Sequence, residues 1–104
     1  MKLQDKVTII TGGSRGIGYA TAQAFAREGA AVIITASSQA NADKAADKLR
    51  QEFPGSRIAG IAPNLSDYAS VQESFEKVIQ EFGRIDILVN NAGIVRDALA
   101  MRMS

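Results

Sequence analysis

The sequence of 104 residues contains neither cysteine nor histidine. Disulfides, cysteine-based metal sites and catalysis by cysteine or histidine are therefore excluded within this chain, and the lack of cysteine is compatible with a reducing compartment. An excess of charge of one sign is also lacking, because 12 basic and 11 acidic residues leave a formal net charge of +1. With these charges mixed along the chain, the sequence does not indicate a nucleic-acid or membrane partner.

Long hydrophobic runs are missing too. A transmembrane helix needs roughly 18 apolar residues, whereas the first apolar run, "VTII", follows a charged "MKLQDK" and gives way to Thr11. A signal peptide is therefore not expected, and we expect a cytoplasmic protein. Apolar residues make up 46% and charged residues 22% of the chain, which is typical of one small globular domain with a core of its own. We treat residues 1–104 as that domain.

What the sequence does contain is an alternation of short β-rich runs with helical segments. The pattern predicts strands over residues 7–10, 31–35, 58–62 and 85–89, and helices over residues 17–28, 42–53 and 66–82, the last with Ser66 as its N-cap. Gly60 weakens the third strand. Strand starts lie about 25 residues apart, which is too far for hairpins and suits helical crossovers.

The fold class follows from this alternation. The strands are apolar on both faces, as a sheet covered by helices on each side requires. The sequence therefore predicts a three-layer, Rossmann-type α/β fold with a parallel sheet and right-handed crossovers. The first three strands step outward in one direction and the fourth returns to the other side of the first. We expect the strand order 3-2-1-4.

A glycine-rich stretch, "TGGSRGIG" at residues 11–18, follows the first strand and opens a helix. A helix N-terminus presents free N–H groups and a partial positive charge, so it can hold a phosphate if side chains do not block the approach. Gly12 permits a tight turn, Gly16 lets the backbone reach a diphosphate, and Gly18 lets the helix pack closely on the sheet. The same division of roles belongs to dinucleotide-binding loops.

Two alternatives to a dinucleotide loop remain. The spacing is G-x-x-x-G-x-G and not the common G-x-G-x-x-G. Residues 13–18 also fit the first half of a P-loop, but Tyr19-Ala20 stand where the lysine and hydroxyl of an ATPase belong, so we do not expect an ATPase. The other alternative is a glycine loop that binds nothing.

Together with "NNAG" at residues 90–93, this loop resembles the signatures of the short-chain dehydrogenase/reductase family. Within that family, "TGGSRGIG" and "ILVNNAGIVRDALAMRMS" are most similar to bacterial 3-oxoacyl-(acyl-carrier-protein) reductases. The resemblance covers essentially the whole chain. It implies an NADP(H)-dependent oxidoreductase of fatty acid biosynthesis that, when complete, reduces a 3-oxoacyl thioester to the 3-hydroxyacyl form. Separately, the apolar edge of the fourth strand predicts a homo-oligomer.

The end of the second strand bears on the choice between NAD and NADP. An acidic residue there binds the ribose 2′-hydroxyl of NAD, but "ITASSQ" carries no carboxylate before Asp43. Arg15 together with Ser37 suits a 2′-phosphate, and in the reductases that the chain resembles, matching residues have this role. Ser37 and Ser38 could instead cap a helix, and Arg15 could be a solvated loop charge. We expect NADP (NADPH) as the cofactor.

Further cofactor contacts come from the ends of the third and fourth strands. By resemblance, Asn64 meets the adenine amino group, while Asn90 and the Ala92-Gly93 backbone approach the riboses. A turn residue after Pro63 is the other interpretation of Asn64, and a simple strand-ending turn is that of "NNAG". The predicted cofactor site consists of Gly12, Ser14, Arg15, Gly16, Ile17, Gly18, Ser37, Asn64, Leu65, Asn90, Ala92 and Gly93.

The strand order brings the two motifs together. In an open parallel sheet, ligands bind in the crevice at the carboxyl ends of the strands where the order reverses. With the order 3-2-1-4, that point falls between the first and fourth strands. Thr11-Gly12 and Asn90 end those two strands, so we expect them to line one crevice.

A catalytic site is not found in this chain. The family uses a serine, an asparagine and Tyr-x-x-x-Lys, whereas Tyr19 and Tyr68 are followed four residues later by Gln23 and Gln72. We therefore assign no catalytic or metal-binding residue. The chain is similar to the N-terminal, cofactor-binding part of a larger reductase and is predicted to be inactive alone. A non-catalytic nucleotide-binding module, or a half-domain that self-assembles through its fourth strand, are the alternatives.

Overall fold

The computed structural model describes residues 3–12, 16–64 and 67–90, with Asn90 as backbone only. Strands and helices alternate along the chain in the order β1 (Val7–Thr11), α1 (Gly16–Arg27), β2 (Ala31–Thr35), α2 (Gln39–Glu52), β3 (Ile58–Ile61), α3 (Tyr68–Phe82) and β4 (Ile87–Asn90). All the strand pairs are parallel, and the sheet order is β3-β2-β1-β4. The predicted fold class and strand order are confirmed.

Helices cover both faces of the sheet, as the apolar strands require. Alternate residues of a strand point to opposite faces, so Ile10 and Ile34 pack with α1 and α2, while Ile9 and Ile33 pack with α3. The first side also buries alanines of both helices and Leu49, and the second is centred on the completely buried Phe75. Two apolar layers therefore hold the sheet between the helices.

The helices begin and end at residues that satisfy their free backbone groups. The side chain of Ser38 accepts a hydrogen bond from the N–H of Asn41 at the start of α2. Asp67 caps α3 by accepting from the N–H groups of Ala69 and Ser70, so the N-cap lies one residue later than predicted. At the other end of α3, Gly83 takes the left-handed conformation with φ 91°, for which glycine is the favoured residue.

Gly60 has a packing role that the sequence did not reveal. Helix α2 approaches β3 so closely that a Cβ added at Gly60 would stand 2.6 Å from the carbonyl carbon of Ala42. Only a residue without a side chain fits between this strand and the helix backbone. The glycine that weakened the prediction of β3 is therefore what allows α2 to pack on it.

Side chains of α2 also occupy the outer edge of β3. The carbonyls of Arg57 and Ile61 accept N–H groups of β2 and of Ala36, which follows it. Because carbonyls alternate in direction along a strand, those of Ile58 and Gly60 point away from β2. Arg50 donates to the Ile58 oxygen at 2.8 Å through Nη2, and Gln39 donates to the Gly60 oxygen at 2.9 Å. Two backbone acceptors of the edge strand are thus already paired.

The start of the central strand is fixed to β4 by a carboxylate. Asp86 accepts the N–H of Val7 at 2.8 Å and the Nε–H of Arg84 at 2.8 Å. These bonds hold the pKa of Asp86 below its usual range, with the Val7 bond as the largest cause.

In the described part of the chain, each helix is too short or too polar to cross a bilayer.

Candidate functional site

The two motifs are joined by the pairing of β1 with β4. Thr11, the last residue of β1, is in register with Asn90, the last residue of β4. The Thr11 side chain is fully buried, and its hydroxyl donates to the Val89 oxygen at 3.4 Å. The predicted proximity of the strand ends is therefore confirmed, and Gly12 leaves the sheet directly beside Asn90.

Glycine geometry opens the space at this edge. Gly12 turns the chain out of β1 with φ 68°, a backbone conformation that side chains disfavour. Gly16 is the first residue of α1, has φ 64°, and an added Cβ would meet nothing within 4 Å. Gly16 is thus exposed, with open space where a side chain would stand, and a diphosphate held by helix N–H groups needs such an unobstructed approach.

The first turn of α1 contrasts buried and exposed residues. Gly18 is buried, which agrees with its predicted role of letting the helix lie close to the sheet. Ile17 is 82% exposed although it is a large apolar residue. An exposed apolar side chain in the first turn of this helix suits contact with a ligand's ring or ribose better than contact with water.

The end of β2 carries hydroxyl groups and no acid. Ser37 is exposed, whereas Ser38 is engaged as the N-cap of α2 through its bond from the N–H of Asn41, at 3.2 Å. The nearest following carboxylate, that of Asp43, accepts from the side chain of Gln39 at 2.8 Å. Of the two serines, Ser37 is the one whose side chain is not used in the cap.

Asn64 lies after β3 at the same edge of the sheet and is exposed. Its backbone N–H donates to the hydroxyl of Ser70 at 3.0 Å, and its carbonyl accepts from the N–H of Asp67 at 2.9 Å. These bonds fit the interpretation of a turn residue after Pro63, and they leave the adenine contact as a prediction.

Several predicted site residues lie outside the described residues: Ser14, Arg15, Leu65, Ala92 and Gly93. For Asn90 the backbone position is described and places it beside Thr11. Binding by all these residues stays a prediction. Within the described part of the site, the structure places the turn at Gly12 beside the end of β4, and Gly16 begins α1.

Tyr19 directly follows the glycine motif but faces the helix layer. Its hydroxyl donates to Glu52 at 2.9 Å, and the same carboxylate accepts from Gln23 at 2.6 Å. Burial, followed by the hydrogen bond to Glu52 and its charge, raises the pKa of Tyr19 to about 12. The Lys48 ammonium lies 5.0 Å from the ring centroid. Tyr19 therefore links α1 to α2 and is poorly suited to donate a proton.

One residue of the site was missed by sequence reasoning. The hydroxyl of Thr35, the last residue of β2, accepts the Gly12 N–H at 3.2 Å. The only sequence signal is a threonine that ends a strand at the carboxyl edge of the sheet.

A separate surface depression, lined in part by Gln4, Arg27 and Arg57, lies near the amino ends of the strands and does not belong to this site.

Comparison with known proteins identifies relatives over nearly the whole chain. A family model described as short chain dehydrogenase matches residues 6–104. A 3-oxoacyl-(acyl-carrier-protein) reductase FabG of Thermotoga maritima is 48% identical over 99% of this chain and 41% of its own length. A 3alpha-hydroxysteroid dehydrogenase of Mediterraneibacter gnavus is 47% identical over 90% of this chain and 38% of its own length. The chain thus spans about two fifths of the relatives it matches.

Solved structures give the same fold with either cofactor. The L-sorbose reductase of Gluconobacter frateurii, complexed with NADPH and L-sorbose, superposes with a TM-score of 0.80 at 40% identity, covering 89% of this chain and 36% of the reductase. An NAD+-bound xylitol dehydrogenase superposes with a TM-score of 0.82 at 31% identity, covering 89% and 35%. Both fold and sequence therefore relate this chain to dinucleotide-dependent enzymes.

Proposed function

The chain belongs to the short-chain dehydrogenase family, and from that premise we propose that it binds NADP(H) for an oxidoreductase acting on a carbonyl or alcohol. The dinucleotide occupies the crevice between the ends of β1 and β4. The observation that carries this proposal is the register of Thr11 with Asn90, because it places the glycine turn beside the residue with which "NNAG" begins. Without that register, the two motifs would not face a common ligand.

Backbone groups supply the diphosphate contact in this proposal. Gly16 begins α1 with open space where a side chain would stand, and the N-terminal N–H groups of a helix favour an anion. The turn at Gly12 gives the chain its direction out of the sheet. The side chains of Ser14 and Arg15 and the apolar Ile17 contribute from the same loop, while Gly18 keeps the helix close to the strand.

Contacts with the rest of the dinucleotide come from the other strand ends. We assign the adenine side to Asn64 and Leu65, and the riboses to Asn90, Ala92 and Gly93. When bound, the dinucleotide supplies or accepts the hydride of the redox step. The residues of this chain bind and orient it, and they provide no group that we assign to proton transfer.

NADP is the expected form of the cofactor. The exposed Ser37 and the absence of a carboxylate before Asp43 leave room for a 2′-phosphate, and Arg15 supplies a cation. A hydrogen bond to a charged group contributes about 1.5–3 kcal/mol, so Arg15 alone accounts for a preference of roughly 10- to 100-fold. The relatives named above include NADPH-bound and NAD+-bound structures, so this preference has to be measured.

A 3-oxoacyl thioester is the substrate class that we propose for the whole protein. It is supported by the FabG relative that matches nearly the full chain. The chain alone is expected to have negligible reductase activity, because general acid catalysis contributes about 10²–10⁴-fold and Tyr19 is engaged with Glu52. Steady NADPH-dependent reduction of an acetoacetyl thioester by these 104 residues would contradict that expectation.

Self-association is a further part of the proposal. In the described part of the chain, β4 pairs with β1 on one side only, and its residues Ile87, Leu88 and Val89 are half-buried. Apolar strand edges recruit partners. For the 104-residue chain taken alone, we expect a second copy to cover this edge, by strand pairing or by a helix swap. A single monomeric species in sedimentation at high concentration would contradict it.

Cofactor binding is tested by fluorescence titration with NADPH, NADH and ADP. We expect all three to bind, with NADPH tightest. Arg15→Ala should lower NADPH affinity roughly 10- to 100-fold and leave NADH affinity nearly unchanged. Arg27→Ala, which removes the same charge at the far end of α1, is the control and should bind as the parent does. Absence of binding by all three nucleotides would refute the proposal.

A non-catalytic nucleotide-binding module is the second candidate. It requires that the whole protein lacks Tyr-x-x-x-Lys, a pattern that these 104 residues do not contain. Both candidates predict binding, so titration cannot separate them. The coding sequence that follows Ser104 can: a serine and Tyr-x-x-x-Lys there support the oxidoreductase, and a stop codon supports the module.

A further inference from the structure

The peptide that opens the glycine loop is held by a side chain from a neighbouring strand. Thr35 ends β2 and is only 1% exposed. Its Oγ1 accepts the backbone N–H of Gly12 at 3.2 Å. Gly12 is the first residue past β1, where the ladder hydrogen bonds of the sheet end. The acceptor that would otherwise come from a strand backbone therefore comes from a threonine hydroxyl.

Threonine suits this position for a steric reason. Its branched Cβ restricts χ1 to few rotamers, and close packing in the interior reduces that freedom further. The hydroxyl oxygen is thus fixed before any ligand arrives. On the opposite side of β1, Thr11 donates its own hydroxyl to the Val89 oxygen at 3.4 Å. Two buried threonines therefore fix the end of β1 against the strands on either side.

We propose that Thr35 is a positioning residue for the dinucleotide site: by accepting the Gly12 N–H, it sets the direction in which the glycine loop leaves the sheet. This inference rests on the proposed function. A diphosphate bound by backbone N–H groups has no flexible side chain to compensate for a misdirected loop. Groups that are already oriented bind more tightly because less freedom is lost on binding.

The proposal distinguishes Thr35 from the residues that contact the ligand. Thr35 acts through Gly12, so its loss should weaken every ligand that carries the diphosphate to a similar extent. NADPH, NADH and ADP share that group. Loss of Arg15, by contrast, should weaken NADPH selectively. The pattern across the three nucleotides therefore separates loop direction from recognition of the 2′-phosphate.

The matched variants are Thr35→Val, Thr35→Ser and Thr8→Val. Valine keeps the shape of threonine and removes the acceptor, whereas serine keeps the acceptor. Thr8 is a buried strand threonine of β1 whose hydroxyl has no partner among the described residues. The change Thr8→Val therefore repeats the chemistry of Thr35→Val at a position without the Gly12 contact.

We expect Thr35→Val to raise the Kd of all three nucleotides about fivefold, as the loss of one ordinary hydrogen bond implies. Thr35→Ser should stay within about twofold of the parent, and Thr8→Val should bind as the parent does. Titrations are run at a temperature where circular dichroism shows each variant fully folded. A purely structural role for Thr35 would change the melting temperature and leave these Kd values unchanged.

Each outcome decides one question. Failure of the parent to bind any nucleotide refutes the proposed function. Binding by the parent, with equal binding by Thr35→Val, overturns the positioning role alone, and so does an equal loss in Thr35→Ser. If Thr35→Val does not fold, Thr35→Cys replaces it, because sulfur is only a weak acceptor. Unchanged binding by that variant would overturn the inference in the same way.

Discussion

Gly60→Ala tests whether α2 lies on β3 as closely as described. The conformational preference of the strand and the packing around it predict opposite effects of this substitution on the free energy of unfolding. Glycine inside a strand costs about 0.5–1 kcal/mol relative to alanine, so preference alone predicts that the variant is more stable. Packing predicts the reverse, because the new Cβ would stand 2.6 Å from the Ala42 carbonyl carbon and 3.1 Å from its Cβ.

The magnitude follows from the contact distances. Unbonded carbon atoms are at their optimum about 3.5–4.0 Å apart, so the backbone of α2 would have to move by about 1 Å. That movement would disturb Ala46 and Leu49, residues of α2 whose side chains are completely buried in the core. Overpacking of this kind costs about 1–3 kcal/mol. Subtracting the middle of the gain in preference from the middle of this range leaves an expected net loss of about 1.2 kcal/mol.

Thermal unfolding followed by circular dichroism measures this loss. In a domain of this size, 1 kcal/mol corresponds to a shift of about 4–8 °C, so the Tm of Gly60→Ala should fall by roughly 5–10 °C. Gly55→Ala is the comparison: Gly55 has φ 91° and open space around it, so it reports backbone strain without a clash. A Tm for Gly60→Ala equal to or above that of the parent would refute the close approach of α2 to β3.

Three further predictions concern the polar contacts around the sheet. Asp86→Asn should cost about 1 kcal/mol at neutral pH. Because the folded pKa of Asp86 is lowered, its contribution is present above about pH 4 and is lost as pH falls through that lowered value; parallel loss of stability in parent and variant, in urea titrations from pH 7 to 3, would contradict this. Burial and then the bond to Glu52 raise the pKa of Tyr19 to about 12, so the stability that depends on its neutral form is present below about pH 10 and is lost as pH rises toward 12. Tyr19→Phe should lack that alkaline loss, which urea midpoints from pH 9 upward would measure. Removing Arg50 and Gln39 together, each to alanine, should free the β3 edge and increase self-association; an unchanged sedimentation coefficient would count against the protective role.

The layered fold was predictable because its signals are local. Each strand is a short apolar run, and each helix repeats apolar residues at helical spacing, so the alternation is visible without tertiary information. The strand order followed from connection rules for parallel sheets. These rules also place the end of β1 beside the end of β4. The pairing of Thr11 with Asn90 was therefore predictable although the two residues are far apart in the sequence.

Features that depend on distant partners were not predictable. Gly60 was interpreted as a weak point of its strand, since its partner is the Ala42 backbone in another element. Both Ser66 and Asp67 are common N-cap residues, and their order alone did not decide between them. The fourth strand begins at Ile87 and not at residue 85. Just before it, the Asp86 side chain accepts the N–H of Val7, the first residue of β1, and this long-range bond could not be read from the local sequence.

The position of the candidate site within the sheet has a consequence for its rigidity. In the described sheet, β1 is paired on both sides, to β2 and to β4, and the glycine loop leaves from its end. Local opening of a protein costs least at edges and most at elements paired and buried on every side. The loop therefore starts from backbone that cannot move without breaking two ladders as well as the Thr35 hydrogen bond to Gly12. A nucleotide bound there would stabilise mainly the first turn of α1, which follows β1. Its binding should therefore slow hydrogen exchange at the start of α1 more than in β1.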